Sequence, residues 1–187
     1  MKMNRASALK IMVASVLGSP MLLGATPVAN SNIKVEEVKA AQQAWGSALI
    51  QISEDYRSGG IDKAKETATA VLNAAYGYAH GPVLFKPTLT QYPQTFRPTQ
   101  DGALAYFVGH NSAFPNDSGF ALKGWTGFET ENSAIHITGD LALSMGKVRL
   151  TNQAGEVTEV DKTWGFKKES DGTIRIVLHH SSLPFNP

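Results

Sequence analysis

The 187-residue chain contains no cysteine. Disulfides, thiolate nucleophiles and zinc–thiolate centres are therefore excluded. It has little excess charge of either sign, with 17 basic and 16 acidic residues. No basic stripe is present, so nucleic acid is not an expected partner. Long apolar runs are absent too: the stretch at 11–23 is interrupted by Gly18, Ser19 and Pro20, too short and too broken for a membrane span. There are five histidines, yet they form no H-x-H or H-x-x-x-H pattern. His80, His110 and His136 are scattered, and a three-histidine metal site could be assembled only in space. Asp140, Asp161, Glu129 and Glu131 read as solvated strand or turn residues, and Trp45, Trp125 and Trp164 as packing residues.

What is present divides at about residue 30. Lys2, Arg5 and Lys10 form a basic head, an apolar stretch follows, and small residues stand near Ala25 and Ala29. This is the pattern of a secretory signal peptide over residues 1–29, with cleavage between about Ala25 and Asn30. Removing it takes away three bases and no acid, leaving 14 basic and 16 acidic residues. The mature chain, 30–187, is long enough for one domain whose stability comes from its core. The expected location is secreted or periplasmic.

Val35, Val38, Gln42, Trp45, Leu49, Ile52 and Tyr56 recur at helical spacing. They predict an amphipathic helix over 31–58, capped by Ser31 or Asn32 and stopped by Ser58-Gly59-Gly60. A second, alanine-rich helix is expected over 61–78, presenting Ala64, Ala68, Val71, Leu72, Ala75 and Tyr76. After Gly81-Pro82 the texture turns to short β-forming runs between turn residues. Strands are expected near 83–85, 103–109, 120–125, 128–138, 141–151, 157–168 and 173–181. The segment 86–100 carries Pro87, Pro93 and Pro98 and reads as a loop over the mouth of the sheet. Two helices followed by an antiparallel meander is an α+β plan, a bent sheet wrapped around helices with one open end.

The carboxy end, I-R-I-V-L-H-H-S-S-L-P, poses the functional question. Ile174, Ile176 and Leu178 alternate with Arg175 and Val177, so the run is β. Side chains two apart share a face. His179 and Ser181 therefore share one face, and His180 and Ser182 the other. One pair faces the interior or a pocket, and the other faces solvent or a partner.

The order of elements resembles the nuclear-transport-factor-two-like cone fold, which also serves ketosteroid isomerases and the association domain of calcium/calmodulin-dependent kinase. The segments V-L-F-K-P-T, F-R-P-T, G-A-L-A-Y-F-V-G, G-F-A-L-K-G-W, T-W-G-F-K-K and R-I-V-L-H-H-S-S-L-P are similar to those of bacterial iota-class carbonic anhydrases. The similarity covers roughly residues 34–185. It implies a cone-fold homodimer that reversibly hydrates carbon dioxide to bicarbonate. It also implies a site made of a threonine, a tyrosine, a histidine and a serine, which fall here on Thr88, Tyr106, His179 and Ser181. The site is expected to need no cofactor or metal, with manganese or zinc as the alternatives.

Phe107, Phe120, Leu122, Trp125 and Phe166 are expected to wall a narrow apolar pocket for carbon dioxide. Tyr106 is expected to share a strand face with Leu104 and Val108. Arg97 stands at the mouth, to shape it, to attract the anion, or simply on the surface. In the expected mechanism the hydroxyls of Thr88, Tyr106 and Ser181 position a water, and His179 takes or shuttles its proton. The alternative is a non-catalytic periplasmic module binding a small ligand. A ketosteroid-type isomerase is disfavoured, because no carboxylate base falls in the interior strand blocks.

Overall fold

The computed structural model describes residues 32–185. The signal segment at 1–29 and the cap residue Ser31 lie outside them. The first element is α1, Val35–Ala75, broken at Gly60, whose φ of 71° only glycine adopts readily. The two expected helices are thus the two arms of α1. Its first arm buries Val38, Gln42, Trp45, Leu49 and Ile52, and its second buries Ala64, Ala68 and Leu72. Lys63 (2.9 Å) and Thr67 (2.7 Å) from the second arm both bind the Asp55 carboxylate on the first, pinning the bend. The helix starts later than expected: Lys34 is the cap residue, and its N–H donates to Glu37 at 2.8 Å. The carboxylate satisfies an otherwise orphaned amide. The second arm also ends early, at Ala75, so Tyr76 stands in the turn that follows rather than on the helix.

After a short strand, β1 at Leu84–Lys86, the structure departs from the expected strand at 103–109. That segment is a helix, α2, Gln100–Val108. Thr99 caps it, its hydroxyl accepting from the Gly102 N–H at 3.2 Å, and Gly109 ends it with a φ of 62°. The apolar run A-L-A-Y-F-V is buried on nearly every side. Burial without a polar face leaves no period to read, so strand and helix look alike. Tyr106 therefore does not share a strand face with Leu104 and Val108. The expected strand at 120–125 is likewise a helical turn, Phe120–Leu122, and the strand begins only at Trp125.

Four long strands follow: β2 Trp125–Thr138, β3 Leu141–Asn152, β4 Val157–Lys168 and β5 Ile174–Ser182. The five-stranded sheet has the order β1-β5-β4-β3-β2. β2 to β5 form the expected antiparallel meander, but β1 pairs with β5 in parallel, so the sheet is mixed. Its inner face carries Ala142, Ser144, Val148 and Leu150 from β3 and Val160, Lys162, Trp164 and Phe166 from β4. Gln42 is fully buried and its amide is satisfied by Asn132 (2.9 Å) and Ser144 (3.1 Å), which explains a polar residue in an apolar stripe.

The strand β5 does not keep a strict alternation. Gly165 pairs with Leu178, but Phe166 pairs with Ile176, so Val177 is an extra residue on β5. Such a bulge switches the face that the strand presents. Ile176 is buried before it, and His179 and Ser181 are buried after it, while His180 is exposed.

The loop between β1 and α2 turns back along β1, with the Arg97 N–H donating to the Phe85 carbonyl at 2.8 Å. Arg97 is neither on the surface nor open to an anion. It is 2% exposed and doubly hydrogen-bonded to the Asp117 carboxylate, at 2.8 Å from Nη2 and 3.1 Å from Nε. Breaking a buried pair leaves an uncompensated charge. The variant Asp117→Asn is therefore expected to lose about 3 kcal/mol of stability in urea unfolding; a loss near zero would mean the loop is held by other contacts.

Candidate active site

Segments from the helices, the β1 turn and the sheet converge on one small cavity. Trp45 comes from α1, Thr88 from the turn after β1, Tyr106, Phe107 and Phe120 from α2 and the turn beyond it, and Lys162, His179 and Ser181 from β4 and β5. Val148, Leu150 and Val160 complete the wall. Its volume is about 10 Å³, room for the centre of a single water.

All four expected polar residues meet here. Thr88 Oγ1 donates to Ser181 Oγ at 2.7 Å. The Tyr106 ring is buried and stacks on Phe120 with centroids 5.4 Å apart. Burial pushes its phenol well above the ordinary tyrosine range, although hydrogen bonds with Thr88 and with the backbone at Leu89 act in the opposite direction. Tyr106 thus stays protonated and is a hydrogen-bond donor at any physiological pH. Ser182 and His180 lie on the other face of β5, and His180 is exposed.

Of the expected apolar wall, Phe107 and Phe120 line the cavity; Leu122, Trp125 and Phe166 do not. Leu122 packs against the core from outside. Trp125 sits behind Phe120, its indole N–H donating to the Phe120 carbonyl at 2.7 Å. Phe166 stacks behind Trp164 at 5.6 Å. The expectation for Leu122 and Trp125 goes with a strand at 120–125, which the structure does not form. The turn at Phe120–Leu122 re-aims the first two, and Phe166 is two residues too far along β4.

His179 is enclosed rather than poised at the surface. Phe85 stacks on it at 4.2 Å, Trp164 lies at 4.7 Å and Trp45 meets it edge-on at 5.5 Å. Tyr76 Oη lies 2.8 Å from Nδ1, and Lys162 Nζ is hydrogen-bonded to Nε2. Burial, then the neighbouring Lys162, holds the imidazole well below its usual range, so it is neutral. With both ring nitrogens occupied, His179 has no free lone pair for a water proton. The expectation that it takes that proton directly does not fit this geometry.

Lys162 is the residue that motif reading missed. It is 4% exposed, opposite Ser181 in the sheet register, with no carboxylate partner among the described residues. Burial alone holds its amine well below the ordinary lysine range. The signal was in the sequence: Val160, Lys162, Trp164 and Phe166 alternate, and a lysine occupies one place in an otherwise apolar inward series. Tyr76 was also missed as a polar participant, having been read only as a packing residue. Among the described residues no cluster of three metal-ligating side chains occurs.

Residues 36–183 match the family model described as metal-independent carbonic anhydrase. A metal-independent carbonic anhydrase of Nostoc sp. is 54% identical over 160 residues, 86% of this chain and 78% of that protein. The crystal structure of a cyanobacterial iota-carbonic anhydrase complexed with bicarbonate superposes with a TM-score of 0.85 at 54% identity, over 87% of this chain and 99% of the other. A Xanthomonas campestris protein named for the calcium/calmodulin-dependent protein kinase II association domain shares the fold alone, at 19% identity and a TM-score of 0.51, over 84% and 92% of the two chains. Matched by the family model along nearly the whole described fold, and by a relative identical at more than half its aligned positions, the chain belongs to the metal-independent carbonic anhydrase family.

Proposed function

We propose that the cavity among Thr88, Tyr106, Lys162, His179 and Ser181 is where carbon dioxide and water become bicarbonate. The observation that carries this is the convergence of three hydroxyls on one water-sized, apolar-walled space. Carbon dioxide has no charge and enters against Phe107 and Phe120 with little cost in desolvation. The Thr88–Ser181 pair holds the water, since each hydroxyl can donate once and accept twice. Tyr106 donates to an oxygen of the substrate as negative charge builds on it. Bulk water, with a pKa of about 15.7, is a poor nucleophile. Attack must therefore be concerted with removal of its proton toward the Lys162–His179 side of the cavity. The bicarbonate found in the cyanobacterial relative supports this substrate. Activity is expected to survive exhaustive chelation, and Tyr106→Phe is expected to lower kcat for hydration about 100-fold, the effect of one lost donor to developing charge. Both are read by stopped-flow carbon dioxide hydration. An inactive but folded wild type would favour the binding-module alternative.

We propose a homodimer packed through the outer sheet face, where Leu141, Leu143 and Met145 of β3 are exposed beside Gly165 and Leu178. Contiguous exposed apolar side chains on a sheet are unusual unless covered. We propose also that the chain is exported, a reading supported by the basic head and broken apolar stretch of residues 1–29. Protein isolated from its native cell is expected to start near residue 26–30 by mass spectrometry and to scatter light as a dimer. Leu143→Asp is expected to scatter as a monomer. An intact Met1, or a dimer unaffected by the substitution, would contradict the respective half.

A further inference from the structure

Resting on the cavity being the hydration site, we infer that it opens to solvent through a second, outer cavity beside Leu89, and that Lys123 at the rim of that opening draws bicarbonate to it. Ten of the eleven residues that line the inner cavity are buried, and Thr88 alone is half-buried. The wall is therefore thinnest at Thr88. The next residue, Leu89, is 43% exposed and lines an outer cavity of about 20 Å³ together with Asn116, Ser118 and Lys123. Tyr106 and Phe120 line both cavities. Their rings stack with centroids 5.4 Å apart and 14° between planes, so they form one partition with a cavity on either side. The Tyr106 hydroxyl is hydrogen-bonded with Thr88 and with the backbone at Leu89, at the edge where exposure begins.

Each cavity has room for about one water. Carbon dioxide and bicarbonate are larger, so a side chain must swing for either to pass. The two rings of the partition are packed in the core, whereas Leu89 stands largely in solvent and is the rim side chain free to move. The backbone around the opening is held in place. Gln94 Nε2 donates to the Ala113 carbonyl at 2.7 Å, and the Arg97–Asp117 ion pair at 2.8 Å ties the same two segments together.

Charge distinguishes what passes. Two ionisable carriers of charge line the outer cavity, Asp117 and Lys123. The Asp117 carboxylate is neutralised by Arg97, with both side chains buried. Lys123 is exposed and has no ion pair or hydrogen bond among the described residues. The opening thus carries one uncompensated positive charge in front of an inner cavity whose lysine and histidine are held neutral by burial. Such a charge is indifferent to carbon dioxide and attracts bicarbonate. It acts on the anion alone, whichever way the reaction runs. Lys123 touches no reacting atom in this scheme and is a residue for anion capture, not a catalytic one.

The test has two arms, both read by stopped-flow hydration of carbon dioxide. For the route, Leu89→Trp and Ser118→Trp plug the opening from opposite rims at exposed positions. Each is expected to lower kcat/KM about tenfold or more while keeping a folded circular dichroism spectrum. Wild-type kcat/KM in both folded variants places the mouth elsewhere and overturns the inference; should one fail to fold, the other decides. For the charge, bicarbonate is added as product inhibitor. Its inhibition constant is expected to rise about threefold in Lys123→Gln, further in Lys123→Glu, and to stay near the wild-type value in Lys123→Arg. Added sodium chloride is expected to weaken the inhibition of wild type by screening, and to do so much less in Lys123→Gln. An inhibition constant that Lys123→Gln and Lys123→Glu leave unmoved removes Lys123 from this role. A folded wild type that hydrates no carbon dioxide overturns the catalytic reading before any variant is compared, whereas an active wild type with unaffected variants leaves that reading standing and overturns this inference alone.

Discussion

The constraint on which the site depends is the burial of an imidazole and an amine against each other in a box of aromatic rings. Burial disfavours charge on either, and no carboxylate is among the described residues that line their cavity. Their polar atoms must be satisfied by neutral partners, and the Trp45–Tyr76–His179–Lys162 chain does so by drawing one group from each of α1, the turn after it, β5 and β4. The chain ties the helix layer to the centre of the sheet. It also sets the chemistry, because an electrically neutral cavity suits an electrically neutral substrate.

That neutrality answers the difficulty that any metal-free hydration faces. A metal ion activates water by its charge. In the proposed scheme no fixed charge is needed before reaction, and charge develops only as proton transfer and C–O bond formation proceed together. Tyr106 stays protonated because it is buried, and therefore remains a donor. Thr88 and Ser181 lie 2.7 Å apart, close enough to address a single small molecule. The remaining ionic strength of the molecule is spent away from the cavity: the buried Arg97–Asp117 pair fixes the loop that carries Thr88 back along β1, and the Asp55 cluster fixes the bend of α1.

Much of this was legible in advance. The stripe Val38-Gln42-Trp45-Leu49-Ile52, the glycine break and the antiparallel meander follow from period and turn chemistry. Two elements did not. At 103–109 the residues are buried almost all round, so the contrast between polar and apolar positions on which periodicity depends is missing. At 120–125 only Phe120, Ala121 and Trp125 are buried and Lys123 is exposed, a stretch too short for its pattern to tell a helical turn from a strand. The family resemblance nevertheless picked out Tyr106 in the wrong secondary structure, because a motif carries residue identity and not backbone conformation. Lys162 shows the converse: its inward position on β4 was readable from alternation, but no motif drew attention to it.

The sequence by itself determined that β5 would end with two polar pairs on opposite faces, that no thiolate could take part, and that helices would precede a meander. It could not determine which pair goes inside. Continuing the alternation of Ile174, Ile176 and Leu178 would have turned His180 and Ser182 inward. Only the tertiary structure decided for His179 and Ser181, because β4 pairs with β5 across a bulge at Val177. Register is fixed by the partner strand and by what packs upon both, and a single inserted residue reverses every side chain beyond it.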